Sequence, residues 1–283
     1  MLTTTCDFGS QARRWSCRSI LHLDEAPTQR PLKMFNLSPV PVPDLTGRVV
    51  LVTGAGKGIG AELVRLLHDN GARVYAGVYP GDAVETLPLG VTVLPLDVTS
   101  QSDADGVVWR IRSEVGRLDV LVNNAGMVTP IGALESIETD QIAPAFAVNV
   151  LGVHRMVVAA LPLLRASGGT IVNAGTGAAT TAMEGWTAYC TTKAAMLMLT
   201  RMMALELGLR VHFLGIPPTD TAMQGEIRAS GINPVSQIPQ EKLVAPRVPA
   251  SCLAWLCGEN PATEGVILDV RQEVFTRMMK LVN

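Results

Sequence analysis

Tyr189 and Lys193 stand four residues apart in TAYCTTKAAMLMLT, a stretch without proline or glycine. On a helix, positions i and i+4 share one face. A phenol with an unperturbed pKa of about 10 exchanges protons slowly at neutral pH, and a neighbouring ammonium favours the phenolate and eases that exchange. A second chemical signal is TGAGKGIG at 53–60. It is not G-x-G-x-x-G, because residue 59 is Ile, and it lacks the Gly-Lys-Ser/Thr of a P-loop. Its spacing is T-G-x-x-x-G-x-G, carried by Gly54, Gly58 and Gly60. Glycines there let the backbone turn tightly and approach a pyrophosphate, and a following helix offers free N–H groups and the positive end of its dipole. The chain thus carries the parts of a proton-transfer pair and of a phosphate cradle.

These parts need a scaffold. RVVLVTG, ARVYAGV, VTVLPLDV, LDVLVNNAG, GTIVNAG, RVHFLGI and GVILDV read as short apolar, β-branched strands. The stretch GIGAELVRLLHDNGA has Ile59, Leu63, Leu66 and Leu67 at helical spacing and stops at Asn70-Gly71, a helix-ending pair. Further helices are expected from about 137 to 165 and from 187 to 207. Strands alternating with helices predict an α/β fold: a Rossmann-like, doubly wound parallel sheet of about seven strands with helices on both faces, in a single domain. That domain is expected over 46–283. Residues 1–45 read as a flexible N-terminal extension, because three prolines in SPVPVPDLTG forbid a helix and no periodicity precedes them. Arg13, Arg14 and Arg18 also allow a transit-peptide reading, against which stand the early Asp7 and the lack of an amphipathic face.

Composition removes other classes. Hydrophobic residues make up 48% of the 283 and charged ones 17%, below the roughly 25% of average domains, which excludes disorder. The longest clean apolar run, MVVAALPLL at 156–164, is short for a membrane span and contains a proline. A net charge of −2 and 4% aromatics give no footing for nucleic acid or anionic lipid. Five cysteines without a CxxC, and scattered histidines, give no metal site and fit a reducing, cytoplasmic setting.

NNAG at 123–126 after the fourth strand, Asn149 in NVLG, and Tyr189-x-x-x-Lys193 follow the first glycine cluster in order. Over roughly 46–270 the chain resembles the short-chain dehydrogenase/reductase family. That resemblance implies Tyr189 as general acid/base, Lys193 as its electrostatic partner and holder of the nicotinamide ribose, and Asn149 as support for a proton-relay water. It further implies cofactor contacts from Gly54, Lys57, Gly58, Ile59, Gly60, Asp97, Val98, Asn124, Ala125, Gly126, Thr219 and Thr221. Two departures stand out. The family's usual serine is Thr176, whose hydroxyl makes the same bond while its methyl stiffens the side chain. Ile216-Pro217 stands where Pro-Gly is common, so the approach to the nicotinamide is reshaped.

An NAD enzyme of this type has an acid at the end of the second strand; here that position is Val78, and the nearest acid, Asp82, follows a Pro-Gly turn. With Lys57 in the glycine turn, NADP(H) is expected over NAD(H). The expected pocket residues are Met127, Val128, Ala178, Ala179, Met183, Trp186, Ile216, Met223 and Gln224, an apolar set without an arginine, and 223–250 reads as a variable lid. The expected activity is NADPH-dependent reduction of a hydrophobic ketone or aldehyde, or the reverse. The alternatives are a non-redox or redox-coupled cyclisation or isomerisation, motivated by Thr176 and the Ile-Pro-Pro loop, and an idle NADP-binding protein. Family members assemble through their long helices, so a homodimer or homotetramer is expected.

Overall fold

The computed structural model describes residues 36–258 and 266–280. Its contacts divide the chain between Lys33 and Met34, and every described residue belongs to the second unit. Seven strands form one sheet: β1 Val49–Thr53, β2 Arg73–Val78, β3 Thr92–Pro95, β4 Val120–Asn123, β5 Thr170–Thr176, β6 Arg210–Ile216 and β7 Ile267–Asp269. All neighbours pair parallel, in the order β3-β2-β1-β4-β5-β6-β7. The sheet is therefore the doubly wound one that the alternation predicts. Its order reverses between β1 and β4, which opens a crevice at the carboxyl ends of those strands.

Both faces of the sheet are covered, so its central strands are apolar throughout rather than alternating. Val50 and Val52 of β1 face one core with Leu63, Val64 and Leu67 of helix α1 (Gly58–Asp69). That core also takes helix α7 (Arg247–Leu256) and helix α8 (Glu273–Lys280), through Leu253 and Phe275. Val49 and Leu51 point the opposite way, into a second core. Helix α2 (Gln101–Glu114) joins it through Ile111, and helix α5 (Thr187–Glu206) through Met196 and Met203.

Between β4 and β5 a helix runs from Thr139 to Ser167: α3 (Thr139–Phe146), a π-turn over Ala147–Gly152, and α4 (Val153–Ser167). By length and composition it is apolar enough to cross a membrane. Here it lies on the sheet, with Met156, Val157 and Leu164 in the second core. Gly152 lets it close on β3's exit: a Cβ there would sit 2.8 Å from Val98 Cγ2.

One boundary differs from expectation. Val40 and Leu45 are buried in the first core, Val40 N–H donates to Ser251 Oγ at 2.9 Å, and Ser38 Oγ donates to Met279 O at 3.3 Å. Residues 36–45 therefore belong to the folded domain. Their prolines forbid a helix but not extended packing across α7 and α8. The rest of the expected extension, and Cys6 and Cys17, lie outside the described residues. The expected lid begins with helix α6 (Ala222–Ser230), followed by single turns at Pro234–Gln237 and Gln240–Lys242.

Candidate active site

The glycine turn joins β1 to α1 at the crevice, and its glycines are required sterically. Gly54 has φ +62°, and a Cβ on it would lie 2.8 Å from Ala125 Cα. A Cβ on Gly60 would lie 2.1 Å from Gly54 O, so no side chain fits. The NNAG segment fastens this turn. Thr53 Oγ1 accepts from Asn124 N–H at 3.0 Å and Ala125 N–H at 3.1 Å, while Asn124 Nδ2 donates to Thr53 O at 3.1 Å and Gly54 O at 3.0 Å. Thr53, the threonine of T-G-x-x-x-G-x-G, is a site residue that sequence reasoning left unassigned. Helix α1 opens at Gly58 with no side chain capping it. Its first N–H groups are thus available to an anion. Ile59 packs against the first core, and Thr221 Cγ2 lies 3.3 Å from a Cβ placed on Gly58. A backbone cradle closed to side chains and an uncapped helix start fit a dinucleotide pyrophosphate.

Flanking residues are placed less uniformly. Asp97 Oδ1 accepts from Thr99 N–H and Oγ1–H at 2.8 and 2.7 Å, so one carboxylate oxygen is already engaged. Val98 packs on Gly152, and its carbonyl accepts from Arg155 at 2.6 Å. Thr219 is buried and donates to Pro217 O at 2.7 Å. Asp82, read from sequence as beyond the turn, instead meets Lys57: their charged atoms are 2.7 Å apart.

Across the crevice, α5 and the π-turn bring the candidate proton-transfer residues together. Tyr189, Thr192, Lys193, Met196, Thr200 and Met203 form the buried stripe of α5, the three-and-four spacing of one helix face. Asn149 sits in the π-turn and is fully buried. Its Oδ1 accepts from Met127 N–H at 2.9 Å, and its Nδ2 donates to Met127 O at 2.9 Å and Thr192 Oγ1 at 3.0 Å. Both amide protons go to protein, so this side chain positions the loop after β4 and locks it to α5. Thr192 completes the lock, donating to Tyr189 O at 3.0 Å. Gly126 lies close by: a Cβ there would be 3.3 Å from Asn149 Oδ1 and 3.6 Å from Lys193 Nζ.

Tyr189 and Lys193 are both buried, and burial sets their electrostatics. It pushes the Tyr189 phenol up to about 12, opposed by the nearby Thr176 hydroxyl. It pulls the Lys193 ammonium down to about 8. The sequence reading expected Lys193 to lower the phenol. Instead Nζ lies 5.9 Å from the ring centroid and donates to Ala174 O at 3.1 Å. Desolvation outweighs attraction at that distance. Thr176, at the end of β5, accepts from Ala178 N–H at 3.3 Å, which ties its hydroxyl oxygen to the turn that follows.

Next to Tyr189 lies an apolar cluster of Val128, Ala178, Trp186, Ile227 and Val235, with Met183 and Met223 against it. Trp186 meets Tyr189 edge-on at 5.3 Å. Two expected pocket residues fall elsewhere. Ile216 packs against the first core and Ala179 in the second, because their strand-end and turn positions face the helices rather than α6. Buried Gln224 donates to Val235 O at 3.0 Å. Asn233, which sequence reasoning passed over although Asn-Pro is a turn signal, accepts from Val235 N–H and Ser236 N–H and donates to Glu184 O at 3.1 Å. It ties the lid to the loop entering α5.

Among the described residues no group of His, Cys, Asp and Glu is arranged to hold a metal ion. The family model for the short chain dehydrogenases matches residues 48–231. L-fucose dehydrogenase of Rattus norvegicus is 33% identical over 210 residues, covering 71% of this chain and 77% of the relative. The (S)-benzoin-forming benzil reductase of Saccharomyces cerevisiae is 31% identical over 237 residues, covering 74% and 90%. The 3-ketoacyl-(acyl-carrier-protein) reductase of Brucella melitensis, solved with NADH, superposes with a TM-score of 0.70 at 28% identity, covering 80% and 97%.

Proposed function

From the premise that the chain belongs to the short chain dehydrogenase family and is an oxidoreductase of C=O and CH–OH groups, we propose that it is an NADP(H)-dependent enzyme. Its proposed reaction converts a hydrophobic ketone or aldehyde to its alcohol, or the reverse, with Tyr189 as general acid/base. The observation that carries this reading is Tyr189 buried in an apolar cluster with Lys193 Nζ 5.9 Å from its ring centroid, on the helix that Asn149 and Thr192 lock to the loop after β4.

A bound nicotinamide supplies or takes the hydride. The chain's residues do the rest. The phenol of Tyr189 stays protonated across the neutral range and serves as the proton donor to a developing alkoxide. Thr176 shares that oxygen's hydrogen bonding and orients the carbonyl. Lys193 keeps much of its charge at neutral pH, and a cation beside the site stabilises negative charge as it develops. Thr176 takes the serine's part in this reading, and Tyr189, Lys193 and Asn149 together argue against the idle-protein alternative. Val128, Met183, Trp186 and Met223 exclude water from the carbonyl. The absence of an acid at Val78 and the presence of Lys57 support NADP(H). The apolar faces of α4 and α5 support assembly into a homodimer or homotetramer.

The test is a panel of aromatic and aliphatic ketones with NADPH, followed at the nicotinamide absorbance. Cofactor oxidation that falls at least about 10²-fold in Tyr189→Phe, with dinucleotide affinity retained, supports the reading. Equal turnover by the variant overturns the assignment of Tyr189, and product formed without cofactor oxidation favours the non-redox alternative.

A further inference from the structure

The chain leaving β2 turns back on itself and touches the glycine turn. A Cβ on Gly56 would lie 2.9 Å from Val78 Cγ1, 3.0 Å from Asp82 Cβ and 3.3 Å from Ala83 O. Gly56 is thus the residue that lets the two loops meet. Asp82 N–H donates to Tyr79 O at 3.0 Å, which closes the Tyr79-Pro-Gly-Asp82 turn. The carboxylate then receives Lys57 Nζ at 2.7 Å. The partners differ in freedom: the Lys57 side chain is 68% exposed and that of Asp82 20%. Asp82 is the fixed member, and Lys57 is the arm that can swing.

In a doubly wound fold, the adenosine ribose meets the protein at the end of the second strand. A carboxylate there accepts from a free 2′-hydroxyl, and a base there receives a 2′-phosphate. Val78 leaves the strand end without either. We infer that Asp82 supplies the missing carboxylate from the loop, and that the Lys57–Asp82 pair sets the choice between the two dinucleotides. Asp82 accepts from the 2′-hydroxyl of NAD(H). Against NADP(H) it acts twice: it competes with the 2′-phosphate for Lys57, and it places a negative charge beside a group that itself carries about −1.5 to −2. The preference for NADP(H) proposed above is therefore held in check by a residue of this chain. This inference rests on the nicotinamide reading but not on which dinucleotide wins.

The experiment is calorimetric titration of the full chain with NADPH and with NADH, without substrate, for the wild type, Asp82→Asn and Asp82→Ala. Removing one carboxylate from a partly exposed phosphate site is worth about tenfold in affinity. NADPH should bind about tenfold more tightly to both variants, while NADH binds more weakly. Thermal melts of the apo proteins identify a variant that fails to fold, and the other then decides. An NADPH-to-NADH affinity ratio within twofold of the wild type in the folded variants overturns the inference. So does weaker NADPH binding, which would mean that Asp82 merely holds Lys57 in place. Wild-type preference for NADH would overturn the NADP(H) proposal alone, because the change in ratio on substitution still reads Asp82. Binding of neither dinucleotide overturns both.

Discussion

Thr176 shows how much one hydroxyl can be asked to do. Its oxygen accepts from Ala178 N–H, and its hydroxyl pulls the Tyr189 phenol down against burial, so it is both oriented and coupled. Thr176→Val keeps the shape and removes the hydroxyl. Turnover should drop about 10²- to 10³-fold, the usual cost of deleting one oriented hydrogen-bond partner of a reacting oxygen. Dinucleotide affinity should stay within about twofold, and Thr176→Ser should recover most of the rate. Single-turnover kinetics on the three proteins checks this, and unchanged turnover in the valine variant removes Thr176 from the chemistry. Residues of this kind were legible because their signals are local: Tyr189 and Lys193 lie one helical turn apart, and Gly54, Gly58 and Gly60 sit in one turn. Asp82 and Thr192 were not. Their partners, Lys57 and Asn149, lie 25 and 43 residues away, and pairings at that range are set by the crossing of elements. The sign of the Tyr189 shift was also out of reach, since it depends on burial.

At the scale of elements, α5 buries a lysine and a tyrosine on the same stripe, with opposite consequences for stability. Burial lowers Lys193 to about 8, while an unfolded lysine titrates near 10.4. Between those values the unfolded chain holds a proton that the folded chain has released, so stability rises with pH. Tyr189, raised to about 12, acts in the other direction, and only above about pH 10. Lys193→Met should remove the rise. The gap in melting temperature between wild type and variant should then shift by roughly 5 °C in favour of the wild type from about pH 8 to about pH 9.5. A constant gap across that range would mean that Lys193 keeps its ordinary pKa. Of the elements themselves, the seven strands were readable from the sequence in order and place, although the stretches for β3 and β4 ran past the strands' ends, and α5 was readable nearly to the residue. Helix α7 was not, because almost every residue in it is buried and an element apolar all round has no period to read. The lid was opaque for the opposite reason: it is held by single side chains such as Asn233 rather than by a stripe.

At the scale of the whole molecule, two long helices carry exposed apolar side chains among the described residues. Leu151 and Val158 of the long helix are about half exposed, as is Met198 of α5, and Leu205 is 79% exposed. Positions 151 and 158, and 198 and 205, each lie seven residues apart, so each pair shares a helix face. Apolar area of that kind commonly marks an association surface. The proposed homo-oligomer predicts that the wild type sediments as a dimer or tetramer, and that a Met198→Glu, Leu205→Glu double variant sediments as a smaller species. A wild type that sediments as a monomer at micromolar concentration would sink the proposal. The doubly wound sheet itself was legible from alternation alone, because parallel strands joined by helices leave few other architectures.

The segment from Asn36 to Leu45 carries none of the dinucleotide signature, yet Val40 and Leu45 fill part of the core under α7 and α8. Deleting two such side chains costs about 2–5 kcal/mol each, against a total stability of about 5–15 kcal/mol for a typical domain. A gene trimmed to begin at the first recognisable strand would keep every signature residue and lose its keel.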